Sequence, residues 1–233
     1  MSRIIPGMTK IYEGIQLFQD EVHDTKAELF QRLGKGQQPL VLFIGCSDSR
    51  INPNLLTQTE PGELFILRNA GNIVPPYGGG GGEEATIEYA VAGLKIRHIV
   101  LCGHSSCGAM HGLLEPGAVA TMPSVARWLG HSKPIVSEVQ QATAGLSPQN
   151  RLRLTIEKNV LLQIENLQTH PTVKAALDRG EIKLHPWVYD FATGEVQVHN
   201  RESNRFVSLG DRNVPGGKGP DGVETSTLPS NSM

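Results

Sequence analysis

Leu40-Val41-Leu42-Phe43-Ile44-Gly45-Cys46-Ser47-Asp48-Ser49-Arg50 is the stretch on which the reading of this chain turns. Its first five residues are apolar at every position, the pattern of a strand covered on both faces. The run stops at Gly45-Cys46, so polar and reactive side chains follow the strand directly. Leu64 to Leu67 and Ile99-Val100-Leu101 repeat the apolar pattern. Between them lies Glu83 to Leu94, acidic in its first turn and apolar at Ile87, Val91 and Leu94, which reads as a crossover helix. Strand, helix and strand in succession predict a parallel sheet. The expected fold class is α/β, a mostly parallel central sheet flanked by helices.

Upstream, Ile11, Ile15, Phe18, Val22, Leu29 and Leu33 recur at helical spacing, and Gly34 and Gly36 end the segment. Residues 1–36 therefore read as an N-terminal helical arm that packs on its own domain or on a second subunit. Downstream, Pro123 to His131 and Pro148 to Leu167 read as helices, the second capped by Ser147 with Pro148 in its first position. Ile182 to Phe191, a turn at Ala192-Thr193-Gly194 and Glu195 to His199 predict a C-terminal strand hairpin at a sheet edge. From position 210 the chain turns to Gly, Pro, Ser and Thr with little to bury, so 210–233 reads as a disordered tail and 37–209 as the α/β domain. The run Gly78 to Gly82 lacks the Lys-Ser/Thr ending of a phosphate loop and reads as a mobile surface loop.

Lys plus Arg at 21 against Asp plus Glu at 23 leaves a charge of -2, which offers no electrostatic ground for a nucleic-acid partner. The apolar runs are strand-sized, so no membrane span is expected, and Met1 to Gly14 lacks the zones of a secretory signal. A cytoplasmic protein is expected. Three cysteines are an odd number in a chain too long to be a disulfide scaffold, which points to thiols kept for chemistry or metal.

Cys46 follows the first strand, and His104 and Cys107 follow the strand ending at Leu101. In a parallel sheet both loops emerge at the carboxyl ends of their strands, where such sheets hold ligands. Two thiolates and one imidazole form a three-ligand zinc set that leaves a fourth position for water, the signature of a catalytic rather than a structural site. His104 and Cys107, three apart, are expected on one side of a helical turn, and Cys102 reads as a buried, inert thiol. Asp48 and Arg50 alternate with Cys46 and, in an extended segment, face the same pocket. Asp48 can either complete the zinc shell or accept a hydrogen bond from activated water. The Arg50 fork can hold the carboxylate bidentately and keep it off the metal. Two anionic ligands acidify water less than three imidazoles would, so activity is expected to favour alkaline pH.

Cys46-Ser47-Asp48-Ser49-Arg50 and Gly103-His104-Ser105-Ser106-Cys107-Gly108, with Pro61-Gly62-Glu63-Leu64-Phe65 and Arg68-Asn69-Ala70-Gly71-Asn72 between them, closely resemble the β-class carbonic anhydrases over about residues 33–199. The resemblance implies one Zn2+ per chain on Cys46, His104 and Cys107, and reversible hydration of carbon dioxide to bicarbonate and a proton, with Asp48 and Arg50 as catalytic residues. It implies that Gln37 and the Gly108 backbone N–H hydrogen-bond the substrate oxygens, and that Phe65, Ala70 and Tyr89 line an apolar pocket. It also implies a homodimer, or a higher even oligomer of dimers, with the pocket completed across the subunit interface and the arm serving dimerisation.

A bicarbonate-inhibited subtype of that family moves its aspartate onto zinc and binds a second bicarbonate through Trp, Arg and Tyr. Here Phe43 stands at the Trp position beside Arg68 and Tyr189, which implies the permanently open subtype. The stretches 54–62 and 69–78 look most like the cyanobacterial, carboxysome-associated branch. That likeness implies inorganic carbon supply for photosynthetic carbon fixation, a carboxysome scaffold protein as candidate partner of the tail, and a place in the cytoplasm or inside the carboxysome. Two other readings share the zinc site: a hydrolase acting on carbon disulfide or carbonyl sulfide, and a noncatalytic carboxysome assembly protein. The intact Asp48 and Arg50 weigh against the second.

Overall fold

The structure is a computed structural model and describes residues 7–142 and 145–210. Nearly all of the tail read from position 210 onward lies outside the described residues.

The arm is not one uninterrupted helix. It comprises α1 (Met8–Leu17), a π-helical segment (Phe18–Val22), α2 (His23–Thr25) and α3 (Ala27–Leu33). The break falls at Lys26, whose φ of -122° and ψ of 21° leave the helical region; its ammonium pairs with Glu60 at 2.7 Å and ties the arm to the domain. The apolar stripe exists as the spacing predicts, yet Ile11 is 53% exposed and Ile15 48%. The first turns of the stripe are thus open in this chain, while Leu29 and Leu33 are half-buried against the domain.

Six strands form one sheet. Along the chain come β1 (Val41–Cys46), α4 (Pro53–Thr57), β2 (Leu64–Asn69), α5 (Gly82–Glu88) with its π-helical continuation, β3 (His98–His104), α6 (Gly108–Leu114), α7 (Pro123–Trp128), α8 (Val136–Ala142), α9 (Pro148–Thr169), α10 (Pro171–Asp178), β4 (Lys183–Tyr189), β5 (Val196–Asn200) and β6 (Arg205–Ser208). The spatial order is β2-β1-β3-β4-β5-β6. The first four strands run parallel, and β5 and β6 add an antiparallel edge, so the expected hairpin is present and one further strand extends it.

Both faces of the central strands β1 and β3 are covered, which is why their sequences do not alternate, whereas β2 and β4 are only partly buried. On one face Leu42, Ile44, Ile99 and Leu101 are wholly buried. The long helix α9 lies so close there that a Cβ on Gly103 would stand 2.7 Å from Val160 Cγ2. On the other face Phe43, Val100 and Cys102 are buried under Trp187 and Tyr189. Burial pushes the Cys102 thiol up to about 12, so it is inert as expected.

Helix α9 starts as its sequence predicts, with Ser147 Oγ accepting the Asn150 N–H at 3.3 Å. Its buried stripe, however, includes Asn159, Gln163 and Asn166. These meet the backbone of 71–75, an irregular stretch buried at every residue. The glycine run is also tied down, since Glu84 Oε2 accepts the N–H groups of Gly78 and Gly80 at 3.1 and 3.2 Å. The anion that a phosphate loop would bind is here the chain's own carboxylate.

The order β2-β1-β3 makes the crevice beyond the carboxyl ends of β1 and β3 a topological switch point, the place where open α/β sheets bind ligands. Gly45 lies opposite Cys102 in the ladder, so Cys46 and His104 finish neighbouring strands on the rim of that crevice.

Candidate metal centre

Beyond β3 the chain turns sharply. Ser106 takes the left-handed conformation at φ 55°, and Cys107, which precedes the first residue of α6, is brought back toward the end of β1. His104 and Cys107 thus converge across a turn rather than along the helical turn their spacing suggested. The sulfurs of Cys46 and Cys107 and a ring nitrogen of His104 all lie within 4.8 Å of one another, with all three residues buried. His104 Nδ1 is 2.9 Å from the Ser105 carbonyl. A carbonyl only accepts, so Nδ1 carries the proton and Nε2 keeps its lone pair. Nε2 is buried with no hydrogen-bond partner, an arrangement that costs free energy unless something fills it. Two sulfurs and a free imidazole nitrogen within reach of one point are a donor set suited to zinc.

The two thiols reinforce that fit. The Cys107 thiol donates to Cys46 and holds it well below the ordinary thiol range, with His104 and the Gly71 N–H helping and burial opposing. The same contact and burial push Cys107 up. Two buried sulfurs this close disfavour a second negative charge unless a divalent cation accompanies it.

Asp48 stands beside the cluster with its side chain 16% exposed. The segment after Cys46 is a turn, not the extended run the alternation implied. Ile51 N–H donates to the Asp48 carbonyl at 3.0 Å, and Arg50 N–H to Asp48 Oδ1 at 3.0 Å. The turn lets Arg50 fold back on Asp48, with Nε on Oδ1 at 2.9 Å and Nη2 on Oδ2 at 2.7 Å. Nη2 also donates to the Ser106 carbonyl at 3.2 Å, and the guanidinium lies 4.4 Å from the Phe191 ring centre. These contacts hold the Asp48 carboxyl well below the usual carboxylate range. Arg68 braces the same turn, donating to the carbonyls of Cys46 at 2.9 Å and Asp48 at 2.8 Å.

A family model for carbonic anhydrase matches residues 41–196. Carbonic anhydrase from Synechococcus elongatus is 45% identical over 199 residues, 84% of this chain and 73% of that protein. The enzyme from Pseudomonas aeruginosa is also 45% identical, over 205 residues, 88% of this chain and 93% of that one. The solved structure of the β-carbonic anhydrase CcaA superposes with a TM-score of 0.84 at 42% identity, covering 86% of this chain and 98% of that one. The chain belongs to the β-carbonic anhydrases.

Of the residues assigned to this carbonic anhydrase from sequence, Cys46, Asp48, Arg50, His104 and Cys107 converge, and Ala70 and Gly108 flank the cluster. The Gly71 N–H, next to Ala70, donates to Cys46 Sγ at 3.3 Å, and Gly108 follows Cys107 with open space where a Cβ would stand. Gln37, Phe65 and Tyr89 are elsewhere. Phe65 lies four residues before Asn69, the residue opposite Cys46 in the ladder, so about 13 Å of strand separates the two levels. Tyr89, 53% exposed, packs its ring 6.0 Å from that of Phe65. Gln37 sits in the coil before β1, at the same far end of the sheet.

Sequence reasoning missed several residues of the carbonic anhydrase site. Phe191 packs 5.0 Å from the His104 ring as well as under Arg50. Its signal was its place just past β4, the strand paired with β3. Trp128 and Asn159 donate from their side chains to the carbonyls of Ala70 and Gly71, and no residue-type pattern marks either.

Proposed function

We propose that this carbonic anhydrase hydrates carbon dioxide reversibly through a site that stays open on acidification and that two copies complete for each other. The observation that carries the reading is the Asp48 carboxylate clamped by Arg50 beside the sulfur-nitrogen-sulfur cluster. Zinc, held by Cys46, His104 and Cys107, would supply the Lewis acidity that lowers the pKa of water far below its free value, though less than three imidazoles would allow. Asp48 is charged and can only accept, so it orients the attacking water with a proton toward itself and a lone pair toward carbon. Arg50 holds both carboxylate oxygens, and leaving Arg50 would cost Asp48 two charge-assisted hydrogen bonds. That favours the open subtype over one in which the aspartate moves onto the metal. Gln37 and the Gly108 N–H serve as donors to the substrate oxygens, Phe65, Ala70 and Tyr89 form the apolar wall, and the product proton leaves to solvent.

The separation of Gln37, Phe65 and Tyr89 from their own chain's cluster supports completion across a dimer, as does the unpartnered stripe of α1. An arm laid over a second copy covers that stripe. The photosynthetic carbon-fixation setting and a carboxysome scaffold as partner of the tail rest on sequence likeness to the cyanobacterial branch. The equal identity to the Pseudomonas aeruginosa enzyme makes the catalytic reading independent of that setting.

Complementation between two disabled variants tests the shared site. Cys46→Ser disables the metal cluster, and Gln37→Ala removes a donor to substrate, with an expected loss of about 100-fold or more. Co-expressed, they form mixed dimers in which one site has an intact cluster from one chain and an intact glutamine from the other. Stopped-flow hydration is expected to recover to about one quarter of wild type per chain. Recovery no greater than the sum of the separate variants would contradict shared sites. Turnover of carbon disulfide without carbon dioxide hydration in the wild type would favour the hydrolase reading.

A further inference from the structure

The strongest chain of contacts outside the catalytic residues runs from α7 and α9 to the sulfur of Cys46. The stretch 71–75 is buried and irregular, so its peptide groups need partners that no helix or strand ladder supplies. A polar stripe on α9 supplies them. Asn159 Nδ2 donates to the Gly71 carbonyl at 3.0 Å, Gln163 Oε1 accepts the Val74 N–H at 2.9 Å, and Asn166 Nδ2 donates to the Val74 carbonyl at 2.9 Å. The orientation of the Asn159 amide is set by its neighbours. Its oxygen accepts from Ser132 Oγ at 2.7 Å and from Gln163 Nε2 at 3.0 Å, which leaves its NH2 facing Gly71.

The peptide that joins Ala70 to Gly71 is gripped at both ends. Its carbonyl accepts from Trp128 Nε1 at 2.8 Å, and its N–H donates to Cys46 Sγ at 3.3 Å. Donation into the carbonyl polarises the peptide and strengthens its N–H as a donor. Gly71 is at φ 81°, and a Cβ there would stand 3.0 Å from both Ala109 Cβ and Met110 Cε. With no side chain of its own to restrain it, Gly71 takes its orientation from these two anchors.

We propose that Trp128 and Asn159 are positioning residues that together aim the Gly71 N–H at the sulfur of Cys46 and so set how strongly that thiolate donates to the metal. Neither touches substrate or metal; each acts through a backbone group on either side of Gly71. The inference rests on the reading of Cys46, His104 and Cys107 as the metal ligands, which the wild-type protein tests separately below.

The test loads wild type and variants with cobalt(II) and records the thiolate-to-metal charge-transfer absorption, with zinc affinity measured by competition against a chelator. Trp128→Phe keeps an aromatic ring in place and removes only the indole donor. Asn159→Leu keeps the bulk and removes the amide. A sulfur that loses its N–H donor holds its electrons less tightly, so both variants are expected to absorb at longer wavelength than wild type. The same sulfur also competes less well against its own proton and is less well placed, so zinc affinity is expected to fall about tenfold in each. Asn166→Leu is the control: it removes donors to the Val74 carbonyl and to Gln163 Oε1, while the Trp128 bond and the Asn159 amide, still oriented by Ser132, remain on either side of Gly71; its stability falls while its absorption stays at the wild-type position. A folded Trp128→Phe protein with the wild-type band and wild-type zinc affinity would overturn the proposal. So would an Asn166→Leu band displaced as far as that of Asn159→Leu. No charge-transfer band in the wild type would overturn the ligand reading and the proposal with it.

Discussion

Cys46→Ser is expected to leave a folded chain that binds no zinc and hydrates carbon dioxide at least about 10⁴-fold more slowly than wild type. Serine fits the space of a residue only 6% exposed at the end of β1, so the sheet has no steric reason to fail. What is lost is one of two sulfurs, and a hydroxyl at that position neither ionises readily nor matches zinc as a thiolate does. Three ligands become two, and the buried Cys107 loses its neighbouring sulfur. Metal analysis after dialysis, paired with stopped-flow hydration, reads both effects. A Cys46→Ser protein with stoichiometric zinc and more than a tenth of wild-type turnover would contradict the ligand assignment.

Asp48→Ala separates binding from turnover. The metal cluster stays whole, so zinc content is expected to match wild type while hydration falls by about 100-fold or more, the scale seen when a group that orients a catalytic water is removed. Zinc loss in this variant would show that Asp48 serves the metal shell instead. The same geometry bears on pH. Arg50, through its side-chain hydrogen bonds to Asp48, holds the carboxyl below the ordinary value of about 3.9. A group with a lowered folded pKa contributes stability that is fully present above its unfolded value and is lost only as pH falls through the folded one. The Asp48–Arg50 pair is therefore intact throughout the neutral and mildly acidic range. Hydration is expected to decline smoothly on acidification and to show no steep, bicarbonate-dependent loss.

The sheet was legible because burial on both faces removes alternation, as at Leu42 to Ile44 and Ile99 to Leu101; Leu40, apolar but exposed, lies just before the strand. The convergence of Cys46, His104 and Cys107 was legible because strand ends bring distant residues to one rim. Local geometry was less so. Cys46, Asp48 and Arg50 meet because a turn folds Arg50 back, not because alternate residues share a face. The arm breaks at Lys26, which no glycine or proline marks. The helix over Pro148 to Leu167 was legible, but the part that Asn159, Gln163 and Asn166 play was not: they complete the backbone of a buried loop whose own irregularity the sequence does not display.

The most direct measurement is a crystal structure of the zinc-loaded protein grown at mildly acidic pH with bicarbonate, with the metal located by its anomalous signal. The account predicts zinc on the sulfurs of Cys46 and Cys107 and on His104 Nε2, with no fourth side chain on the metal and both oxygens of Asp48 still on Arg50. Asp48 bound to zinc with Arg50 released, or zinc held by any other set of side chains, would contradict it.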